Sequence, residues 1–101
     1  MNLRKDGRVY EPAEDSWLLC ATLERAASRF PELHAVVLEL GTGSGIVALT
    51  LAALGGAVTA TDLNPHAIAL ARRNARAAGH HIELSQGDLF EPVGDRRFDA
   101  I

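Results

Sequence analysis

The chain has 101 residues, 48% of them hydrophobic and 23% charged, with a formal net charge of −3. That length suits one small domain and leaves no room for two, the composition is that of an ordinary soluble globular protein, and a slightly acidic chain has no basic footprint for nonspecific nucleic-acid binding. The single cysteine, Cys20, excludes an internal disulfide and any multi-cysteine metal site; no apolar run is long enough to span a bilayer, and Met1 to Arg8 lead into no signal-like stretch, so a cytoplasmic location is expected.

From Glu11 or Pro12 to about Phe30 the pattern is helical. Pro12 suits a first-turn position, Glu14 and Asp15 favour the positive end of the helix dipole, and Pro31 closes the segment. "AVVLEL" (35 to 40) is a near-continuous apolar run rich in β-branched residues, as in a strand buried on both faces. "GTGSG" (41 to 45) follows, then "IVALTLAAL", a helix ended by Gly55 and Gly56. "AVTAT" (57 to 61) is a second buried strand, and "DLNP" leads into a third helix that Asn64 caps, Pro65 opens and Gly79 ends. On that helix Ile68, Ala71 and Ala75 face the sheet, while Arg72, Arg73 and Arg76 reach solvent.

"IELSQ" (82 to 86) is a shorter strand, "GDLFEPVGDRR" a loop, and "FDAI" (98 to 101) the beginning of a fourth strand. Strands alternating with helices imply parallel β-α-β units with right-handed crossovers. The expected fold class is therefore α/β: a doubly wound, Rossmann-like half-sheet preceded by an N-terminal helix. The expected division is an arm and helix over 1–34 and the Rossmann-like half over 35–101, together one incomplete domain. The last strand carries no turn or cap after it, so the sequence reads as the front part of a longer protein.

The chemistry concentrates where the first strand turns into a helix. Gly41, Gly43 and Gly45 permit positive φ there and remove the Cβ atoms that would block a ligand's approach. Asp62 ends the next strand, at the spacing expected of a ribose-binding carboxylate. The pattern is G-x-G-x-G, because position 46 is Ile46 where the dinucleotide fingerprint has its third glycine. Glu39, two residues before Gly41, discriminates further. A carboxylate there repels a pyrophosphate but suits S-adenosylmethionine (SAM), which has no phosphate and presents an ammonium group and a sulfonium. No Gly-Lys-Ser/Thr follows, which excludes a Walker loop. NAD is the lesser alternative. Asp88, after the third strand, is placed to accept from an adenine amino group, with Leu89 against the base.

Other conspicuous residues read more plainly. His80 and His81 are adjacent and belong to a loop rather than a metal site, and His34 and His66 to surfaces near element ends. Cys20 reads as a small buried apolar residue, and Trp17 as core in preference to a wall of the cofactor cleft. Asp99 reads as a strand-end carboxylate that anchors a loop.

"VYEPAEDSWLL" (9 to 19), followed by "LELGTGSGIVALTLA", "TATDLNPHAIALARRNA" and "GDLFEP", resembles the HemK/PrmC-type protein-(glutamine-N5) methyltransferases, most closely the archaeal and eukaryotic branch acting on class I release factors. The resemblance covers almost the whole chain and implies a class I SAM-dependent methyltransferase fold with strand order 3-2-1-4. It implies SAM as cofactor, S-adenosyl-L-homocysteine as product, and a translation termination factor as protein substrate. Glu39 and Gly41 would hold the methionine end, Asp62 the ribose, and Asp88 and Leu89 the adenine, with Thr42, Gly43, Gly45 and Leu63 also among the cofactor-binding residues. Ser16 would approach from the N-terminal helix, as part of a lid over the cleft.

That family carries an Asn-Pro-Pro-Tyr motif directly after the fourth strand, where it holds and packs the substrate amide; here the sequence stops at Ile101, just where that motif would begin. No residue of 1–101 is therefore nominated as catalytic, none as a metal ligand, and residues 1–101 alone are expected to bind cofactor weakly and not to turn over. The implied reaction is in-line transfer of a sulfonium methyl group to an amide nitrogen, helped mainly by positioning and electrostatics. The alternatives are an RNA or small-molecule amino-methyltransferase, and a noncatalytic SAM-binding piece that dimerises through its open sheet edge or needs a partner chain.

Overall fold

The first strand-to-helix unit sets the frame on which everything else is placed. The computed structural model describes residues 3–29 and 35–101. Its elements in chain order are α1 (Glu14–Arg29), β1 (Val36–Leu40), α2 (Ile46–Ala53), β2 (Ala57–Asp62), α3 (Pro65–Ala78) and β3 (Glu83–Gln86). Each strand starts within one residue of its expected position. Helix α1 starts later than expected: its first bond runs from the Trp17 N–H to the Ala13 carbonyl at 3.2 Å, so Pro12 lies before the cap rather than in the first turn. The expected end near Phe30, the closing Pro31, the placement of His34 and the division after residue 34 lie outside the described residues.

The sheet is parallel, with β2 in the centre. Val36 to Leu40 pair with Ala57 to Thr61, and Thr59 to Asp62 pair with Glu83 to Gln86, which gives the order β3-β2-β1. The expected order 3-2-1-4 needs one correction, because the fourth position is filled by a single parallel bridge between Val37 and Ala100 and not by a strand. The "FDAI" segment does dock beside β1: the Leu38 N–H donates to Ala100 O at 3.0 Å and the Asp99 N–H to Val36 O at 2.7 Å. A side chain then replaces the next ladder bond, since Asp99 Oδ2 accepts the Val36 N–H at 2.7 Å. Asp99 is thus an anchor, as its strand-end position implied.

A parallel sheet must be covered on both faces, because its strands are apolar throughout. Ala48 and Leu49 of α2, Val58 and Ala60 of β2, and Ala75 and Ile82 form one buried cluster. Helix α3 follows its sequence pattern: Asn64 Oδ1 accepts the His66 N–H at 2.9 Å as N-cap, Pro65 opens the first turn, and Gly79 closes the helix at φ 73°. Ile68, Ala71 and Ala75 are buried, and Arg72, Arg73 and Arg76 are exposed.

Helix α1 is held more lightly. Among the described residues Cys20 is its one buried side chain, with Sγ 3.9 Å from Ile46 O on α2. Trp17, expected in the core, is 47% exposed, and Leu18 and Leu19 beside it are exposed as well. The reason is geometric: α1 meets α2 along the narrow stripe that contains Cys20, and Trp17 points off that stripe toward the N-terminal arm.

Candidate cofactor site

Beyond Leu40 the chain leaves β1 and runs through Gly41 to Gly45 into α2. The Gly41 and Thr42 N–H groups both donate to Thr61 O, at 2.9 and 3.0 Å, which ties the loop to the end of β2. The Gly45 N–H donates back to Thr42 O at 2.9 Å and closes the turn. Gly41, Gly43 and Gly45 have φ of 72°, 56° and 89°, a region that side chains other than glycine rarely adopt. The loop has two unlike faces. A Cβ at Gly41 or Gly43 would meet nothing within 4 Å, whereas one at Gly45 would stand 3.0 Å from the Ala71 side chain. Gly45 therefore serves the packing of α2 against α3, whereas Gly41 and Gly43 face open space.

Asp62, at the end of β2, is fixed by two backbone bonds. Its Oδ2 accepts the Gly43 N–H at 2.9 Å and its Oδ1 accepts the Asn64 N–H at 2.9 Å. Each carboxylate oxygen keeps acceptor capacity beyond these bonds. Its backbone carbonyl accepts the Gly87 N–H at 3.0 Å, so the loop after β3 is hung from the same residue.

Glu39 lies one pleat below the loop. Its Oε1 is buried and finds no hydrogen-bond partner among the described residues, and neither does the buried Thr42 hydroxyl. Burial pushes the Glu39 carboxyl from 4.5 up to about 7; the Thr42 hydroxyl and the Ala48 N–H pull the other way, and the charge of Asp62 adds to the rise. An unmatched buried carboxylate oxygen is costly and marks a place where a cationic group gains most.

A cavity of about 170 Å³ opens along this carboxyl edge of the sheet, walled by Gly41, Asp62, Leu63, Asp88 and Leu89 together with Leu40, Thr61 and Gly87. The structure thus brings five of the residues singled out from sequence to one cavity, with Glu39, Thr42, Gly43 and Gly45 in the strand and loop behind it. Ser16 is the exception. It is half-buried on α1 and lines no described cavity; Trp17, its neighbour, lines a larger one of about 420 Å³ between the N-terminal arm, Pro12 and Ser44 of the glycine loop.

That arm holds what the sequence reading missed. Residues 3–12 pack on α3 through two asparagines. Asn64 Nδ2 donates to Arg8 O at 2.9 Å, and Asn74, only 2% exposed, makes bonds to both Arg4 and Ser44. Asp6 stiffens the arm between them: hydrogen bonds from the Arg8 side chain and N–H hold its carboxyl well below the usual carboxylate range. The signal for Asn74 was present in "ARRNARAA", a lone amide three residues after Ala71 on the face that otherwise buries alanines and leucine. Among the described residues no three His, Cys, Asp or Glu side chains gather as metal ligands, and no helix is long and apolar enough to cross a membrane.

A parallel sheet with a glycine loop after β1, a carboxylate ending β2 and an open cavity across the strand ends is the fold of the class I SAM-dependent methyltransferases. A ribosomal protein L11 methylase from Lactobacillus delbrueckii subsp. bulgaricus superposes on 94% of this chain and 50% of its own, at a TM-score of 0.76 and 31% identity. The family described as "Methyltransferase domain" matches residues 37–101, and the chain belongs to it. A release factor glutamine methyltransferase of Geobacter sulfurreducens is 46% identical over 81 residues, 78% of this chain and 28% of that protein. A putative protein N5-glutamine methyltransferase of Methanocaldococcus jannaschii is 36% identical over 102 residues, 100% of this chain and 48% of that protein. The resemblance to HemK/PrmC-type enzymes read from the motifs is borne out by these relatives, of whose length the chain spans less than half.

Proposed function

We propose that the protein is a SAM-dependent methyltransferase whose acceptor is a glutamine side chain of a peptide chain release factor. The observation that carries the reading is the unmatched Glu39 Oε1 set behind an open glycine loop, with Asp62 oriented at the next strand end. The residues fit SAM. The cation-seeking carboxylate of Glu39 and the Gly41 and Gly43 backbone would hold the methionine end, with Thr42 beside them. Asp62 and Leu63 would hold the ribose, and Asp88 and Leu89 the adenine. Ser16 joins only if α1 closes further over the cleft. Bound SAM supplies an electrophilic methyl group on a sulfonium. The chain's own part is to fix the cofactor's ammonium and ribose by preorganised acceptors, which demands no rearrangement at the moment of reaction. A release factor substrate implies a cytoplasmic protein.

The test is a transfer assay with the whole protein, radiolabelled SAM, and three acceptors offered separately: a release factor, its glutamine-to-asparagine variant, and total RNA. Label on the wild-type factor alone supports the reading. Label on RNA moves the enzyme to the amino-methyltransferase alternative. Binding of NAD in preference to SAM in a parallel titration would overturn the cofactor assignment.

A further inference from the structure

We infer that Asn74 is a positioning residue that couples the N-terminal arm to the glycine loop, so that the arm and the cofactor loop order together. This rests on the reading of the glycine loop as the cofactor site.

The geometry is a three-way clamp on one buried amide. Asn74 Oδ1 accepts the Arg4 N–H at 2.7 Å, and Nδ2 donates to Arg4 O at 3.4 Å, so the side chain pairs with both backbone groups of one arm residue. The other use of Nδ2 is a 2.9 Å bond to Ser44 O, the carbonyl between Gly43 and Gly45. A side-chain amide offers two donor hydrogens and one acceptor oxygen, and all are engaged here. No other residue type of this size supplies both. Aspartate would keep the acceptor for Arg4 but set an oxygen against Ser44 O, and leucine would lose every bond.

The clamp has one buried point on a helix and two non-helical segments hung from it. Asn74 sits on α3 among Ala71 and Ala75, all three buried. The arm carries no regular secondary structure over residues 3–12, and the glycine loop is a turn between strand and helix in which glycines alternate with the buried Thr42 and Ser44. A buried side chain bonded to both segments links the ordering of one to that of the other. Between the segments lies the 420 Å³ cavity, walled by Arg4, Val9, Trp17, Ser44 and Leu70. The arm is thereby held as one wall of a space whose opposite wall is the cofactor loop. Asn64 supplies a second arm anchor at Arg8 O, but it has no bond to the glycine loop. The two asparagines therefore separate arm docking from arm-to-loop coupling.

The experiment is hydrogen exchange of the whole protein with and without S-adenosyl-L-homocysteine, together with calorimetric affinity for that ligand. Wild type, Asn74→Asp, Arg4→Pro and Asn64→Asp are compared. In wild type the ligand is expected to slow exchange at the Arg8 and Val9 amides, although neither residue is in the cofactor site. Arg4→Pro removes the donor to Asn74 from an exposed arm residue and leaves the buried amide untouched, so it covers the case in which Asn74→Asp does not fold. Both variants are expected to weaken ligand affinity about ten-fold, a coupling of ordinary size, and to abolish the ligand's effect on the arm. Asn64→Asp keeps the N-cap acceptor and the N–H to Asp62 but loses the donor to Arg8 O, and is expected to raise arm exchange while leaving affinity within about two-fold. A merely structural Asn74 would lower the melting temperature with affinity unchanged, and that result overturns the inference. Tight binding by wild type and Arg4→Pro alike overturns the coupling alone, whereas failure of wild type to bind overturns the cofactor reading and the coupling with it.

Discussion

Gly43 and Asp62 are joined by one bond, the Gly43 N–H donating to Asp62 Oδ2 at 2.9 Å, while Oδ1 accepts from Asn64 at the same distance. This bond makes the ends of β1 and β2 a single unit: the glycine loop cannot shift without turning the carboxylate that faces the cavity. Asp62→Asn is the sharpest probe, because whichever way the amide is turned its NH2 group must face a backbone N–H. Bonds to charged groups are worth about 1.5–3 kcal/mol, and the variant is expected to lose about 1–3 kcal/mol of stability. Its affinity for S-adenosyl-L-homocysteine should fall by roughly 10- to 100-fold for the same reason. Denaturant titration and calorimetry measure the two separately; a stability loss with unchanged affinity would take Asp62 out of the binding site.

Glu39 predicts an inverted response to pH. Its carboxyl holds a proton up to about pH 7 in the folded protein against 4.5 in the ordinary state, so the native state binds more protons between those values. Stability from this group therefore falls as pH rises from about 4.5 to about 7, and is level above that. At about 1.4 kcal/mol per unit the full effect is of order 3–4 kcal/mol. Glu39→Gln should erase the decline and be the more stable protein at pH 7.5. Ligand affinity should run oppositely, rising about ten-fold or more between pH 5.5 and 7.5 as the carboxylate that meets the ammonium ionises. Affinity that is flat with pH in wild type would remove Glu39 from contact with the cofactor.

The two faces of the glycine loop predict two different failures. Gly45→Ala sets a methyl group 3.0 Å from the Ala71 side chain at φ 89°, and is expected to cost about 2–4 kcal/mol through strain and overpacking. Gly43→Ala has open space around the added methyl group and is expected to cost only about 1–2 kcal/mol, from its φ of 56°. The order should reverse for binding per unit of stability lost, because on the proposed reading the Gly43 methyl group would stand where the cofactor's methionine end lies. Paired thermal melts and titrations check this; equal stability losses would mean the loop is packed on both sides.

The strands, their parallel order and the position of the glycine loop were legible because they rest on local signals: apolar runs, glycine spacing and a proline-opened helix. Glu39, Gly41, Asp62 and Asp88 could be placed at one edge because parallel strands bring all their carboxyl ends together. What failed was long-range. Trp17 was expected in the core on size alone, but burial is decided by where α1 lands on α2, and among the described residues Cys20 is the one α1 side chain buried there. The expected fourth strand shortens to one bridge because the Asp99 carboxylate takes the Val36 N–H that a backbone carbonyl would otherwise accept. Asn74 was passed over because a helical pattern ranks residues by polarity, and an amide partnered 70 residues away leaves no local trace beyond being out of place.

Leu89 offers a case in which binding and stability should part company. It is 62% exposed beside the cavity and has φ of 46°, a left-handed conformation that a leucine adopts at a cost of about 1–2 kcal/mol. A strained, exposed leucine at a cavity mouth gains nothing for the fold, but an apolar surface against a flat base recovers about 1.5–3 kcal/mol when covered. Leu89→Gly should relieve the strain, so that its melting temperature is unchanged or higher, while affinity for S-adenosyl-L-homocysteine falls about ten-fold. Leu89→Ala keeps most of the strain and loses the contact, so it should bind as weakly as the glycine variant without any gain in melting temperature. If Leu89→Gly binds as tightly as wild type, the side chain does not meet the adenine; if it also melts lower, the leucine is serving the fold and the site must lie closer to Asp88.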